Sequence, residues 1–299
     1  MLEAAKAADL TVTRPTRTAI RPSLVGKLVR IPRAAFGLAV LTIVLFCAVF
    51  AHWIVPFDPE EMDFDALLEG VSAVHLLGSD QLGRDTLARL IYGSQVALIV
   101  SVGSVTVGVI LGVPLGLTSV YFRGWVDDLL MRVMDAVVVF PSLIIAVALA
   151  AMMGASLTTV ILAIGISNVP WIARIVRSQG MSVREQDYVA AAVAGGMGHA
   201  HVIMKHIFPN TLAPVIVQAT LGMGYAVLVE AALGFIGVGV QPPTPTWGNM
   251  LQQAFPLLQE QPLLSIAPGL AIFVLVLAFN FVGDSLRDLL DPRLRGIYH

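Results

Sequence analysis

Side chains capable of acid–base or metal chemistry are sparse in this sequence, and their spacing indicates very little catalysis. His199 and His201 stand two residues apart without an adjoining cysteine or carboxylate, which favours a surface position over metal ligation. The sequence contains neither a Gly-x4-Gly-Lys-Ser/Thr phosphate loop nor a His-Glu-x-x-His zinc motif. No nucleophile is paired with a base inside an apolar stretch, and no basic block suggests nucleic acid. We therefore predict no catalytic residue, no metal site and no cofactor bound by this chain.

Two carboxylates stand out because of where they lie. Glu230 falls deep in an apolar stretch or near its outer end, and an ionisable group inside a membrane span is a functional candidate by default. It could line a translocation path, pair with a neighbouring helix, or lie at the membrane interface. Asp135 follows Arg132 by three residues, a spacing that predicts an ion pair on one helix face.

The elements that must position these groups are membrane helices. The chain is 57% hydrophobic and 13% charged, whereas soluble domains carry about 25% charge. A bilayer core about 30 Å thick needs roughly 20 apolar helical residues, and 136–173 would make a helix about 57 Å long, so we divide it at 153–156. The prediction is an all-α polytopic protein with six transmembrane helices, from apolar stretches at 34–57, 90–122, 136–173, 206–229 and 261–283.

The distribution of positive charge predicts the orientation. All 18 basic residues except Arg84 and Arg89 fall on one side of the six-span arrangement, and the positive-inside rule makes that side cytoplasmic. Both termini are therefore expected in the cytoplasm. The predicted divisions are a cytoplasmic N-terminal segment, a first transmembrane helix, an extracytoplasmic loop, a transmembrane domain and a cytoplasmic tail, at 1–33, 34–57, 58–89, 90–285 and 286–299.

Segment 237–262 is rich in Pro, Gly and Gln and is predicted to be an ordered outer loop. Trp53 and Trp247 fit the aromatic belts at membrane interfaces.

The segment 181–210 on the cytoplasmic side is the most informative part of the sequence. Ser182 and Glu185 have the spacing of a capping box, and Asp187 would favour the positive end of a helix. Five alanine-rich residues, 190–194, follow, and Gly195 would stop the helix. The result is a short helix with small side chains outside the bilayer. It could dock into a partner's groove or simply join two spans.

This segment resembles the EAA loop of bacterial ABC importer permeases. The shared pattern is Ala191-Ala192, then Gly196, then Phe208-Pro209. Ala190 occupies the position of the usual leading Glu, and His206 that of a usual Ile. Asp187 could compensate for the missing carboxylate.

Three further stretches resemble the dipeptide and oligopeptide branch of that family, which also includes nickel importers. They are 78–93, with Gly-Ser-Asp-Gln-Leu-Gly-Arg-Asp at its start; 232–250, with Gln-Pro-Pro-Thr-Pro-Thr-Trp-Gly; and 279–293 at the C-terminal end. The similarity extends over about 30–295 and is strongest to the second, or C, permease subunit.

The resemblance implies a type I ABC importer transmembrane fold in the bacterial cytoplasmic membrane. It implies a second homologous permease, two cytoplasmic ATPase subunits that bind ATP and Mg, and an extracytoplasmic peptide-binding protein as partners. It also implies that 181–210 holds a coupling helix. The residues expected to contact the ATPase are Asp187, Tyr188, Ala191, Ala192, Gly196, Pro209 and Asn210.

The substrate implied by the resemblance is a di- or oligopeptide. Relatives with the same architecture carry nickel chelates, glutathione or other small solutes, so these remain alternatives. A self-contained ion-coupled carrier is an alternative of another class, but it would call for broken helices and charges at mid-membrane.

Overall fold

The structure is a computed structural model that describes residues 24–290. The outer parts of both predicted terminal segments, 1–23 and 291–299, lie outside the described residues. Within 24–290 the regular structure is helical, apart from an isolated bridge between Ser79 and Asp85. The helices are α1 Leu24–Leu28, α2 Pro32–Ile54, α3 Thr86–Phe122, α4 Gly124–Val139, α5 Ser142–Met153, α6 Leu157–Arg184, α7 Asp187–Ala194, α8 His199–Val202, α9 Phe208–Phe235, α10 Trp247–Ala254 and α11 Leu263–Leu290.

Five of the described helices are long and apolar enough to cross a membrane, namely α2, α3, α6, α9 with the preceding α8, and α11. The pair α4 and α5 also qualifies if it counts as one span, although its two halves are bent by 85°. Pro141 explains the bend, because proline disfavours a helical conformation at the residue before it. Phe140 is accordingly extended, with φ −86° and ψ 119°. The predicted six-span, all-helical fold is confirmed when α4 and α5 are counted together as one broken span. The predicted division at 153–156 coincides with the gap between α5 and α6.

Close helix packing in the centre depends on glycines. A Cβ at Gly112 would lie 2.8 Å from Ile172 Cβ, and one at Gly116 would lie 2.7 Å from the Ala173 carbonyl oxygen. Gly165 on α6 approaches Val107 of α3 in the same way, at 2.7 Å. Small residues let membrane helices approach closely where burial from lipid gives little driving force. The α3–α6 pair is therefore the centre of the bundle.

One end of the bundle is covered by 58–85 and by α10, and we call it the α10 end. The predicted loop 237–262 thus contains a helix, which begins where Thr246 and Asn249 form a capping box. Prolines 242, 243 and 245 precede the helix. Trp247 is buried, and its indole N–H donates to the Leu90 carbonyl oxygen at 2.9 Å. Its predicted interfacial position was wrong, because the ring fills the space above Gly93.

The opposite end carries α7 and α8, and we call it the α7 end. The predicted helix start at Ser182 was wrong, because α6 continues through Arg184. The chain then changes direction at Glu185 and Gln186. Helix α7 begins at Asp187, which places a carboxylate in its first turn. The helix ends at Ala194, before Gly195, as the sequence predicts.

Candidate functional site

Helix α7 has an inward and an outward face. Val189 and Ala192 are buried, and Val189 joins an apolar cluster with Val120, Val176 and Ile207 from the ends of neighbouring helices. The sequence prediction put Ala192 on the docking surface. The structure instead gives it an exposure of 8%, because it lies one helical turn from Val189 on the same face.

The outward face carries the other residues singled out in α7. Asp187, Tyr188 and Ala191 are exposed, so these side chains are available to a partner. Tyr188 also links α7 to the start of α9. Asn210 donates to the Tyr188 hydroxyl at 3.4 Å and to the His206 carbonyl oxygen at 2.7 Å.

The C-terminal end of α7 is a glycine turn. Gly196 has φ +79°, a conformation that side chains rarely adopt, and a Cβ there would meet nothing within 4 Å. The Gly196 N–H donates to the Val193 carbonyl oxygen at 3.0 Å, and the Met197 N–H donates to that of Ala192 at 3.1 Å. The turn is thus closed by its own backbone while its outer side stays open. Pro209 is exposed in the first turn of α9.

Arg184 joins α6 to the end of α3. Its guanidinium group donates to the carbonyl oxygens of Val120 and Tyr121 at 2.6 and 2.7 Å. These carbonyls belong to the last turn of α3, which lacks partners within the helix. The Tyr121 ring also contacts the His199 ring, with centroids 4.8 Å apart. The α7 end is therefore connected to α3 through side chains from both sides of α7.

An ion pair at the α7 end joins α4 to α6. Arg177 donates to both carboxylate oxygens of Asp127 at 2.6 Å, and Ser119 of α3 hydrogen-bonds the same carboxylate. Such a two-pronged pair fixes geometry as well as charge. Asp135 also pairs across helices, with Arg174 at 2.7 Å. The predicted partner Arg132 was wrong, because Arg174 approaches from α6.

Glu230 belongs to α9 and lies towards the other end of the molecule, near the start of α10. It is 1% exposed, and its carboxyl group lies close to Thr246, the residue that caps α10. One carboxylate oxygen, Oε1, has no hydrogen-bond partner. The structure thus buries Glu230 within the bundle, close to the start of α10 and away from α7.

The sequence did not predict the contacts that are made by Arg184, Tyr121 and Arg177. Arginines near a helix end are common, and the acceptors of these two lie 50 and 63 positions away along the chain. The one sequence feature that could have indicated such a contact is the position of Arg184, three residues before the start of α7.

The fold is shared with two solved transporters. The structure of the MetNI methionine ABC transporter in inward-facing conformations aligns with a TM-score of 0.57, over 68% of this chain and 96% of that one, at 19% identity. An amino acid ABC transporter solved with histidines aligns with a TM-score of 0.52, over 70% and 94%, at 18% identity. The chain therefore has the fold of the aligned chains of these two ABC transporters.

Sequence comparison narrows the class. Residues 104–296 match the binding-protein-dependent transport system inner membrane component, and 24–70 match the N-terminal transmembrane domain of oligopeptide transport permease C. The chain belongs to this family of inner-membrane permeases, in its dipeptide and oligopeptide permease C branch.

Curated relatives match nearly full length. The dipeptide transport system permease protein DppC of Alkalihalophilus pseudofirmus is 41% identical over 95% of this chain and 92% of its own length. The di/tripeptide permease DppC of Pseudomonas aeruginosa is 43% identical over 87% and 88%. The glutathione permease GsiD of Escherichia coli O157:H7 is 39% identical over 85% and 84%.

Proposed function

We propose that this chain is one of two permease subunits that together carry di- and oligopeptides inward across the bacterial cytoplasmic membrane. The observation that carries the proposal is an exposed, alanine-rich α7 on a chain 41% identical to a dipeptide permease along almost its whole length. The chain itself is non-catalytic. ATP and Mg bind to two separate ATPase subunits, and an extracytoplasmic binding protein delivers the peptide.

The coupling surface consists of Asp187, Tyr188, Ala191 and the turn at Gly196, with Pro209 and Asn210 beside it. Ala192 supports this surface from behind by packing on the bundle. When the ATPases close, α7 moves with them, and the contacts at Arg184 transmit the movement to α3. The membrane helices then change the side to which the path opens, which is a two-state switch biased by ATP.

The α7 end faces the cytoplasm in this proposal, and the α10 end faces outward. Support comes from the basic residues Arg123, Arg177, Arg184 and Lys205 at or near the α7 end. Both termini then lie in the cytoplasm.

A second candidate substrate is glutathione, because the GsiD permeases are 39% identical to this chain. Glutathione is itself a tripeptide, so both candidates share peptide groups. Uptake of labelled dipeptides and of glutathione by the same reconstituted complex separates them.

The coupling role is tested at Gly196. Gly196→Arg adds bulk and charge to the open side of the turn, and we expect ATP hydrolysis to continue while peptide uptake is lost. Gly196→Asn is the matched control, because asparagine tolerates positive φ and adds little volume. Both activities are measured in the same vesicles. Normal coupling in Gly196→Arg would remove α7 from the mechanism.

A further inference from the structure

A small cavity at the α10 end lies where four parts of the chain meet. Its walls come from the segment before α3, from α3 itself, from α10 and from α11, and they include Asp80, Thr86, Arg89, Met250 and Leu264. The cavity has room for about one water-sized particle and not for a group of several heavy atoms. A particle bound at this junction can hold the four parts together.

Arg89 brings a buried positive charge to this cavity. Its side chain is 1% exposed, and its Nη1 donates to the Pro59 carbonyl oxygen at 3.1 Å. Its Nη2 has no hydrogen-bond partner among residues 24–290. The Thr86 hydroxyl, three residues earlier on the same face of α3, is also buried and lacks a partner within that range. Arginine can only donate, so the cavity calls for an acceptor.

The carboxylate that pairs with Arg89 is already engaged by another arginine. Asp80 Oδ2 accepts from Arg84 Nε at 2.7 Å but lies 3.6 Å from Arg89 Nε, beyond hydrogen-bond distance. Asp80 Oδ1 accepts the backbone N–H groups of Leu82 and Arg84 at 2.8 and 3.1 Å. Two arginines therefore share one carboxylate beside the cavity.

Other carboxylates in this region do not balance the charge. Glu60 acts on Arg89 only from an exposed position, where water and salt screen it. Asp85 caps α3 by accepting the Ala88 N–H at 2.6 Å, and its second oxygen contacts His75 Nδ1 at 2.9 Å. A buried guanidinium group without a close carboxylate of its own is strongly unfavourable unless an anion joins it.

We propose that this cavity binds one chloride ion, held by Arg89 Nη2 and the Thr86 hydroxyl. Both groups donate to the ion, and the unbalanced charge of the guanidinium group favours chloride over a neutral water molecule. The size of the cavity excludes phosphate, sulfate and carboxylates, because each of these contains several heavy atoms. Chemistry and size together therefore select a monatomic anion.

The ion adds to two contacts that already join this part of the chain to α10. The Trp247 indole donates to the Leu90 carbonyl oxygen at 2.9 Å, and Arg84 Nη2 donates to the Gln253 side-chain oxygen at 2.8 Å. Met250 and Ala254 of α10 line the cavity between them. Chloride therefore stabilises the packing of α10 on α3, whichever solute the transporter carries.

The first test compares two anions at constant ionic strength. The complete transporter is prepared in about 100 mM sodium chloride or in the same concentration of sodium gluconate, whose anion is too large for the cavity. We expect amide hydrogen exchange in α10 to be about three- to tenfold slower in chloride. Equal exchange rates in the two salts would overturn the proposal.

The second test removes one donor while keeping its shape. In Thr86→Val the chloride concentration that gives half of the protection should rise about tenfold or more. Thr106→Val is the matched control on the same helix, because the Thr106 hydroxyl donates to the Val102 carbonyl oxygen at 2.7 Å. Arg89→Gln removes the charge and should abolish the chloride effect. If Arg89→Gln fails to assemble, Thr86→Val still decides, and a wild-type chloride response in Thr86→Val would contradict the site.

The third test locates the ion directly. Bromide replaces chloride in crystals of the complete transporter, and we expect an anomalous diffraction peak between Arg89 Nη2 and the Thr86 hydroxyl. A water molecule there, without an anomalous peak, would refute chloride binding. Neither exchange nor diffraction depends on peptide uptake, so a failure of the proposed function is distinguishable from a failure of this site.

Discussion

The guanidinium group of Arg184 lies 5.5 Å from the centre of the Tyr121 ring and donates to the Tyr121 carbonyl oxygen at 2.7 Å. One side chain thus holds both the ring and the backbone of the last turn of α3. Arg184 is also the final residue of α6, directly before the break that leads to α7. Movement of α7 therefore reaches two membrane helices at once.

Loss of this contact should loosen the end of α3. In Arg184→Ala the carbonyl groups of Val120 and Tyr121 lose a charged donor, and each of these hydrogen bonds is worth about 1.5–3 kcal/mol net of exchange with water. We expect amide hydrogen exchange at 119–123 to accelerate roughly tenfold or more, and uptake per ATP hydrolysed to fall. Arg132→Ala removes an exposed arginine nearby and serves as the control. Unchanged exchange in Arg184→Ala would mean that α3 ends without help from α6.

Two glycines in different surroundings should respond oppositely to alanine. A Cβ at Gly248 would lie 2.6 Å from the Ala231 carbonyl oxygen, so Gly248→Ala must push α10 away from α9. Overpacking of this kind costs about 1–3 kcal/mol. A Cβ at Gly269 in α11 would meet nothing within 4 Å, so Gly269→Ala should be neutral or gain up to about 1 kcal/mol of helix propensity. Melting temperatures in one detergent compare them, and a stable Gly248→Ala protein would argue against the close α9–α10 contact.

Glu230 should matter for the fit of α10 more than for its charge. Glu230→Gln keeps the size of the side chain and its polar end beside Thr246, so we expect near-normal uptake and stability. Glu230→Ala leaves a cavity behind α10, and we expect a lower melting temperature, by an amount that corresponds to about 2–4 kcal/mol. Glu260→Ala, at an exposed position, is the control. If Glu230→Gln were stable but unable to transport, the carboxylate would belong to the translocation path instead.

The sequence predicts the helices well because their signal is local. Length and uninterrupted apolarity mark a span, and Gly195 and Gly196 mark the end of α7 by conformation alone. The division at 153–156 follows from the same arithmetic. These features need no knowledge of what each helix touches.

The side-chain contacts could not be predicted, because each depends on helix rotation and on a distant partner. Asp135 pairs with Arg174 of α6 and not with Arg132 of its own helix, α4. Ala191 and Ala192 are the same type of residue, but Ala191 is exposed and Ala192 faces the bundle. The amide nitrogen of Asn168 in α6 is buried without a hydrogen-bond partner in the described part of the chain, which becomes apparent only once α6 is packed against Gly108 of α3.

Synthesis from the N terminus gives the contacts of α10 a particular timing. The Leu90 carbonyl oxygen accepts a hydrogen bond from Trp247, which is synthesised 157 positions later. Arg84 donates to Gln253, which is synthesised 169 positions later. The α10 end of newly inserted α3 therefore lacks these contacts until the ribosome has delivered most of the chain. A chain that stops before Trp247 lacks both contacts, so their formation reports that synthesis has passed Gln253.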